Sequence, residues 1–439
     1  MNLLVYNLFL WLYHCGIWIV SPWNGKARLW LKGRKDLIQK IRAIKSETTA
    51  GSIWMHCASL GEFEQGRPIL EALRKKEPGK KMVISFFSPS GYEVKKDYPG
   101  ADYVFYLPPD SKKNARIFVD AINPKLVIWV KYDYWYYYLQ ELKEKNIPNL
   151  LVSAIFLPDQ AFFKWYGGLY RRMLANFTHI FVQHVDSKNL LSDIDLVDQV
   201  SVIGDTRFDR VIEIAGEFEP LPIAEDFCKN HPVIVAGSTW EEDEEELDHF
   251  ANSRPDIRFI IAPHEVDQPH LKEIENLFQR SIRYSALENK TTHANDRSDK
   301  IMRHQRKGPL SAAADPNVLI VDNIGLLSRL YRYGTIAYVG GGFGDDGVHN
   351  VLEAAVYGRP VVYGPVIEKY VEALDLVECG GGIVIDSAIE AESVFNRLLS
   401  NQEEYALHCE ASKNYVYSKR GATNLVVHYI QENRLLTNW

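Results

Sequence analysis

The sequence has few cysteines, and none of them stands at the spacing of a metal site or a redox motif. Five are scattered over 439 residues without a CxxC pair or a histidine-cysteine cluster: Cys15, Cys57, Cys228, Cys379 and Cys409. The pattern excludes a disulfide framework and a structural zinc site, and it predicts reduced, mostly buried thiols in the cytoplasm. Asp345 and Asp346 lack a third carboxylate at a clear spacing, so we expect no required metal and no cofactor.

Charged residues are absent from the first 25 positions, where Leu3 to Val20 is almost wholly apolar or aromatic. Because a membrane span needs about 20 apolar residues, segment 1–25 predicts a membrane anchor. Basic residues follow directly from Lys26 onward, which places the remainder of the chain on the cytoplasmic side. No basic leading region or small-residue cleavage pattern is present, which argues against a signal peptide. An interfacial helix and a buried amphipathic helix remain alternatives.

The charge is distributed unevenly along the chain. Residues 1–100 carry 16 Lys and Arg against 8 Asp and Glu, whereas the whole chain has a net charge of −7. A basic N-terminal portion beside an acidic remainder argues against a general nucleic-acid binder. It favours a surface that faces anionic lipid or an anionic acceptor, with an ordinary lysine-rich surface as the alternative.

Short β-rich runs alternate with helical stretches from about Ser52 onward, which is typical of parallel sheets covered by helices. Eleven strands are predicted: Ile53–Cys57, Met82–Phe87, Tyr103–Tyr106, Leu126–Val130, Leu150–Ser153, Ile180–Val182, Val233–Ala236, Phe259–Ala262, Val318–Val321, Ile336–Val339 and Val361–Tyr363. We expect an α/β protein with two Rossmann-like domains facing a cleft. The predicted domains are 36–210 and 229–418, joined by a linker at 211–228. A C-terminal helix over 419–439 closes back across the domain boundary, and the polar stretch 285–317 is expected to be a mobile surface loop.

The segment from Thr335 to Pro365 predicts a strand, a glycine loop, a helix opening near His349–Asn350 and a further strand. Such a turn forms an anion site, because glycines admit a phosphate to the backbone and a helix N-terminus favours negative charge. The segment therefore suggests a nucleotide-linked substrate. The alternative is that the glycines only make a tight turn.

The motif HCASLGE, which covers His56 to Glu62, ends the first strand of the first predicted domain. Ligands of open α/β sheets bind beyond the carboxyl ends of the strands, so this loop is directed toward the cleft. Ser59 and Gly61 permit a tight turn that brings Glu62 to the start of a helix. Its carboxylate would then serve either as a general base for a hydroxyl nucleophile or only as a charge that stabilises its own helix.

Further polar residues follow other predicted strands. Ser90 is a candidate helix N-cap, and Ser238 or Thr239 either caps a helix or donates to phosphate. The acidic run Glu241–Glu246 is interpreted as a solvated helix face. Other residues expected near strand ends are Lys131 and Asp133 in WVKYDYW, Arg207 in GDTRFDR, with Asp205 or Asp209 to order that turn, and His264 in APHE.

These motifs, taken in order with GVHNVLEAA and GRPVVYGP, resemble the 3-deoxy-D-manno-octulosonic acid (Kdo) transferases of lipopolysaccharide biosynthesis. The resemblance covers nearly the whole chain. It implies a GT-B fold and metal-independent transfer of Kdo from CMP-Kdo to the lipid A precursor, lipid IVA. It also implies anchoring at the cytoplasmic face of the inner membrane, in contact with its lipids and not with nucleic acid.

By position, the resemblance implies that Glu62 is the catalytic base in a single displacement. It implies an acceptor side and a donor side made of two further groups of residues. The acceptor-side residues are His56, Ser59, Gly61, Ser90, Lys131 and Asp133. The donor-binding residues are Arg207, Ser238, Thr239, His264, Gly341, Gly342, His349, Asn350 and Glu353.

The chain departs from the family on the acceptor side. Lys131 stands where the family commonly has an acidic residue, and Ile155 stands where it has arginine. A lysine of the family is replaced by Arg207. These changes suggest a differently built acceptor surface. The alternatives to a Kdo transferase are a GT-B enzyme with a UDP-sugar donor and a lipid acceptor, a non-catalytic membrane-tethered scaffold, and a soluble sugar-nucleotide epimerase.

Overall fold

A computed structural model describes residues 2–288, 315–345 and 347–436. The chain divides into two compact units, which we call unit 1 (Met1–Arg210 with Arg420–Trp439) and unit 2 (Val211–Lys419). Most of the stretch predicted to be a mobile loop, residues 289–314, lies outside the described residues, as does Asp346.

Unit 1 is built around a seven-stranded, wholly parallel sheet. Its strands are β1 (Ser52–Cys57), β2 (Lys81–Phe86), β3 (Tyr103–Tyr106), β4 (Pro124–Val130), β5 (Asn149–Ala154), β6 (His179–Val182) and β7 (Val200–Val202). They lie in the order β3-β2-β1-β4-β5-β6-β7. β1 lies next to the crossover point, where the loops after β1 and β4 project from one edge of the sheet. Ligands bind at this position in open parallel sheets.

Helices cover both faces of this sheet. They are α1 (Leu3–Val20), α2 (Gly25–Gly33), α3 (Leu37–Ala43), α4 (Leu60–Lys76), α5 (Pro89–Lys95), α6 (Lys112–Ile122), α7 (Tyr136–Glu144), α8 (Gly168–Leu174), α9 (Val185–Ser192) and α10 (Thr206–Gly216). Helix α4 packs closely on the sheet because Gly66 has no side chain: a Cβ there would lie 2.8 Å from both Met55 Sδ and Val130 Cγ2. Within the described residues, α1 alone is long and apolar enough to cross a membrane by length and composition.

Unit 2 contains a second seven-stranded parallel sheet. Its strands are β8 (Val233–Thr239), β9 (Arg258–Pro263), β10 (Ser281–Arg283), β11 (Val318–Ile320), β12 (Ile336–Val339), β13 (Val361–Tyr363) and β14 (Gly382–Val384). They lie in the order β10-β11-β9-β8-β12-β13-β14. The surrounding helices are α11 (Pro222–Cys228), α12 (Glu241–Ser253), α13 (Gln268–Leu277), α14 (Leu327–Leu330), α15 (Leu352–Ala355), α16 (Val371–Glu378), α17 (Ala388–Ser400) and α18 (Gln402–Ser418). Two parallel α/β units of this kind confirm the predicted fold class.

The last helix, α19 (Ala422–Glu432), belongs to unit 1 although it follows unit 2 in the chain. Asp209 anchors its start, because its two carboxylate oxygens accept from the backbone N–H groups of Gly421 and Thr423 at 2.6 Å each. The stretch 211–228, predicted to be a linker, contains the end of α10 and all of α11.

Two local predictions were wrong, those on the N-cap of α5 and on the burial of the thiols, and two further ones are made more specific. Ser88, not Ser90, is the N-cap of α5, since its side chain accepts from Ser90 N–H. Neither Ser238 nor Thr239 caps α12, which begins after Trp240. The helix predicted to open near His349–Asn350 is present as α15, which begins at Leu352 and has four residues. The thiols are not mostly buried: Cys57 is, and Cys379 is exposed.

Candidate active site

In unit 1 the end of β1 carries a buried histidine inside a hydrogen-bond network. His56 is fully buried, and its neighbours on the adjacent strands are Ser85 and Trp129. His56 Nδ1 lies 2.8 Å from Ser85 Oγ, and His56 Nε2 lies 3.1 Å from Asp133 Oδ2. Trp54 Nε1–H donates to the same serine oxygen at 2.8 Å. Because Ser85 Oγ accepts from Trp54, its own hydroxyl hydrogen can be donated to His56 Nδ1. His56 then carries its hydrogen on Nε2, which donates to the Asp133 carboxylate.

This network fixes the position of Asp133 at the end of β4. Trp129 Nε1–H donates to the Asp133 backbone carbonyl, and the Trp129 ring packs on His56 with 4.5 Å between centroids. The Asp133 side chain is 17% exposed, so it reaches the surface while one oxygen is held by the histidine. Sequence reasoning found His56 and Asp133 but missed Ser85. A serine in an apolar strand, in register with a histidine, was the available signal.

Glu62 stands in the first turn of α4, with one carboxylate oxygen held by the loop before it. Its Oε2 accepts from the backbone N–H of Ala58 and from that of Ser59, the latter at 3.1 Å. Among the described residues, Oε1 has no hydrogen-bond donor. Glu62 therefore does stabilise the N-terminus of its own helix, and it also retains an oxygen that can take a proton.

The surroundings of Glu62 raise its pKa toward neutral pH. Burial and the negative charge of Asp133 raise the pKa of Glu62 to about 7, against the two backbone N–H donors and the Lys131 ammonium, which lower it. A carboxyl group with this pKa is half ionised near pH 7, and a general base is most effective when its pKa lies near the working pH.

Lys131 adopts an unusual backbone conformation directly after β4. Its φ is 59°, in the left-handed region that residues with a side chain rarely adopt. Ser153 in β5 and Ser238 in β8 have the same feature, with φ of 56° and 55°. Strained backbone of this kind costs about 1–3 kcal/mol and is concentrated at functional sites. Lys131 and Ser238 are among the residues that the sequence marked as candidate site residues, and Ser153 is not.

The remaining residues predicted for this region are placed differently. Gly61 is exposed, and a Cβ added there would meet nothing within 4 Å. Ser90 is exposed, and its Oγ lies 3.0 Å from Ser88 Oγ; no hydrogen bond among the described residues joins it to the Glu62 cluster.

Arg207 belongs to unit 1, where its Nε–H donates to Asp205 Oδ2 at 2.8 Å. Burial and Glu62 raise the pKa of Tyr132, and Arg207 lowers it, so Tyr132 lies in the field of both residues.

In unit 2 the glycine loop is held by a buried acid that sequence reasoning assigned to a solvated helix face. Asp243 is fully buried, and its Oδ2 accepts from Gly341 N–H at 2.7 Å and from Trp240 N–H at 2.9 Å. Its Oδ1 accepts from the Tyr338 hydroxyl at 2.6 Å. Burial raises its pKa, against these donors, which lower it. The amide of Gly341 is therefore committed to Asp243 and is not available to an anion.

Close backbone packing explains several of the glycines. A Cβ on Gly340 would lie 2.4 Å from the Ser238 carbonyl oxygen, and one on Gly342 would lie 2.5 Å from Gly364 N. Gly341 has a φ of 89°. At Gly344 the nearest atom to an added Cβ is 3.7 Å away, so that glycine is not required by packing. Close packing therefore accounts for Gly340 and Gly342, and the positive φ accounts for Gly341.

Three aromatic rings stack beside this loop. The rings of His264 and His349 lie 4.4 Å apart at 13°, and the Trp240 ring lies 4.7 Å from that of His264. Trp240 Nε1–H donates to His349 Nε2 at 2.9 Å, so the neutral His349 ring carries its proton on Nδ1. Gly341 leaves room for this ring, since a Cβ there would lie 2.9 Å from His349 Cδ2.

Other residues that the sequence predicts to bind the donor make side-chain contacts within unit 2. Thr239 is fully buried, and its hydroxyl donates to Glu244 Oε1 at 2.8 Å. Asn350 Nδ2–H donates to Glu353 Oε1 at 3.0 Å. The described residues contain no group of three or more His, Cys, Asp or Glu side chains positioned for a metal ion.

Comparison with known proteins relates the chain to one family. The family model "3-Deoxy-D-manno-octulosonic-acid transferase (kdotransferase)" matches residues 32–210. The chain is 25% identical to the 3-deoxy-D-manno-octulosonic acid transferase of Aquifex aeolicus, over 81% of this chain and 88% of that protein. It is also 26% identical to a bifunctional glycosyltransferase/methyltransferase of Fusobacterium nucleatum, over 92% of this chain; the match spans 58% of that relative. These similarities confirm the predicted resemblance and support a glycosyltransferase enzyme.

A likeness among solved structures concerns the fold alone. UDP-GlcNAc 2-epimerase of Neisseria meningitidis superposes with a TM-score of 0.58 at 16% identity, covering 87% of this chain and all of that one. Identity this low carries no information about activity.

Proposed function

We propose, from the relationship of the chain to the Kdo transferases, that it transfers Kdo from CMP-Kdo to a lipid A precursor, lipid IVA. The observation that carries the chemical part of this proposal is Glu62. It has one oxygen fixed by the loop, one oxygen without a donor among the described residues, and a pKa raised to about 7. A transferase that activates a sugar hydroxyl needs such a base.

The reaction is a single displacement. Glu62 removes the proton from an acceptor hydroxyl, and the hydroxyl oxygen forms a bond to the anomeric carbon of Kdo. The bond from that carbon to the CMP phosphate oxygen breaks, and CMP leaves with the electron pair. The proton stays on the Glu62 carboxyl. His56 keeps Asp133 in place, and the Asp133 charge keeps Glu62 basic enough to accept the proton.

In this proposal unit 1 holds the acceptor and unit 2 holds the donor. The acceptor side comprises His56, Ser59, Gly61, Ser90, Lys131 and Asp133. The residues proposed to bind the donor are Arg207, Ser238, Thr239, His264, Gly341, Gly342, His349, Asn350 and Glu353. The three stacked rings offer a flat surface for a nucleotide base, and Thr239 acts only by supporting its loop. The reaction uses no metal.

The same proposal places the enzyme on the cytoplasmic face of the inner membrane, held there by α1 and in contact with membrane lipids. The apolar α1 and the lysines and arginines from Lys26 onward support this placement.

The proposal is tested with purified full-length protein, CMP-Kdo and a lipid A precursor, with the products identified by mass spectrometry. We expect a product heavier than the acceptor by one or more Kdo residues. Transfer from a UDP-sugar but not from CMP-Kdo would instead support the alternative GT-B enzyme. A protein that binds membranes but transfers nothing would be a scaffold.

A further inference from the structure

One face of α1 lies on unit 1 along most of the helix. Leu3 and Leu10 pack against the hydrophobic core, and Tyr6 is 4% exposed. Near the other end, the Tyr13 and His14 rings contact the ring of Trp30 in α2, with centroids 6.4 and 5.2 Å apart. Positions 3, 6, 10, 13 and 14 are separated by three- and four-residue steps, so they form a single stripe of the helix.

A buried hydrogen-bond network joins this stripe to Asp110 and to the first turn of α7. The Tyr6 hydroxyl donates to Asp110 Oδ2 at 2.6 Å and accepts from the backbone N–H of Tyr136 at 3.2 Å. Asp110 is 7% exposed and also accepts from the backbone N–H groups of Tyr137 and Tyr138, in the first turn of α7. If α1 left unit 1 to cross a bilayer, the Asp110 carboxylate would lose its hydroxyl donor in a buried site, which is unfavourable.

The opposite face of α1 is apolar and exposed. Its most exposed members include Leu4, Leu8, Trp11, Leu12, Trp18 and Ile19. A contiguous apolar face of this size marks a membrane or protein contact. The exposed cations Lys26, Arg28, Lys32 and Lys35 follow on α2 and next to it. Cations beside an apolar face match the surface of an anionic bilayer, which attracts them electrostatically. The occupant that fits both features is therefore lipid.

We propose that α1 lies in the membrane interface, parallel to the bilayer surface, with its Tyr6 face on unit 1 and its Leu8 face in lipid, and does not cross the bilayer. Length alone does not decide this, because 18 residues at 1.5 Å each span about 27 Å, close to a bilayer core. The contacts with unit 1 decide it. The inference rests on the proposed membrane location, and it implies that both chain ends lie on the same side.

The topology is tested with the full chain carrying a protease-cleavable epitope tag before Met1 and a second tag after Trp439. Both tags are probed with protease in sealed spheroplasts and in inverted membrane vesicles. We expect both tags to be cleaved only in inverted vesicles. Cleavage of the tags on opposite sides would overturn the inference. Cleavage of both from the periplasmic side would leave the inference standing and overturn the proposed location instead.

Lipid contact by the exposed face is tested separately, by co-sedimentation with vesicles of phosphatidylethanolamine and phosphatidylglycerol. The double variant Leu8→Asp/Leu12→Asp should bind at least about tenfold more weakly, because it places two carboxylates in the buried face of an interfacial helix. Both side chains are 54% exposed, so folding is not expected to suffer. Leu425→Asp, on the 50% exposed surface of α19, is the matched control and should bind like the wild type. Unchanged binding of the double variant would overturn the inference.

Discussion

The loop after β1 in unit 1 and the glycine loop after β12 in unit 2 both follow the end of a strand, but they differ in how a carboxylate is used in each. The first loop holds Glu62 by one oxygen and leaves the other without a donor among the described residues. The second loop is held by Asp243, whose two oxygens accept three hydrogen bonds. The Glu62 carboxylate therefore keeps an oxygen that can accept a proton, whereas both oxygens of Asp243 are used in hydrogen bonds that hold the glycine loop.

The comparison shows why the two motifs carry different information. A glycine pattern that suggested an anion site is explained in large part by close backbone packing at Gly340 and Gly342. Glu62, for which helix stabilisation alone was the alternative role, has a pKa raised to about 7. The chemistry follows from the surroundings of each residue and not from the motif alone.

The largest expected effect is a loss of kcat when the Glu62 carboxylate is removed. Glu62→Gln should lower kcat for Kdo transfer by about 10²–10⁴-fold, because it removes the general base and preserves the size of the side chain. CMP binding, measured by calorimetry, should not change. Glu64→Gln is the matched control, since Glu64 is a neighbouring carboxylate that pairs with Arg67 and Lys95 at the surface. A Glu62→Gln enzyme with normal kcat would remove Glu62 from the mechanism.

The second prediction concerns the structural acid. Asp243→Ala leaves the Gly341 amide, the Trp240 amide and the Tyr338 hydroxyl without their acceptor, so the free energy of unfolding should fall by about 3 kcal/mol. CMP affinity should fall as well. Glu242→Ala, one residue earlier and exposed, should change neither quantity. Equal stability of the two variants in urea unfolding would contradict the role given to Asp243.

The third prediction distinguishes glycines required by packing from the one that is not. Gly342→Ala should lower the free energy of unfolding by about 1–3 kcal/mol, since its Cβ would meet the Gly364 backbone. Gly344→Ala has open space and should be close to neutral in stability. If Gly344→Ala nevertheless weakens CMP binding, that glycine serves the ligand. Stability is measured by thermal unfolding and CMP binding by calorimetry. A larger loss of stability in Gly344→Ala than in Gly342→Ala would contradict the prediction.

The smallest expected effect is a displacement of the pH profile. The Lys131 ammonium lowers the pKa of Glu62, so Lys131→Gln should raise that pKa and move the acid limb of kcat/KM to higher pH. The maximal rate at high pH should change little if Lys131 acts only through its charge. An acid limb at the wild-type position would show that Lys131 does not influence the base.

Most of the fold was predictable from the sequence because buried parallel strands form apolar runs. All eleven predicted strands are present, within a few residues of their bounds. Among the residues that the structure describes, sequence reasoning missed β7, β10 and β14, which are three-residue strands at sheet edges. An edge strand this short has too few apolar residues to distinguish it from a loop.

The candidate site was predictable as a set of residues but not as a network. The motifs identified His56, Glu62 and Asp133, whereas the Ser85 contact depends on the register of two parallel strands that are distant in sequence. The acidic run in α12 was misread for a similar reason. Charge alone favoured a solvated face, but Asp243 and Glu244 turn inward to partners that only the folded sheet supplies.

The central claim is that a carboxyl group of near-neutral pKa in unit 1 takes the proton from the acceptor. The most direct test is the pH dependence of kcat/KM for Kdo transfer in the wild type and in Asp133→Asn. We predict a wild-type activity that rises with pH and levels off above about 7, because Glu62 must be ionised to act. Removing the Asp133 charge should lower the pKa of Glu62 and move the rise to lower pH. A wild-type profile that is flat across this range, or a rise that Asp133→Asn does not move, would contradict the account.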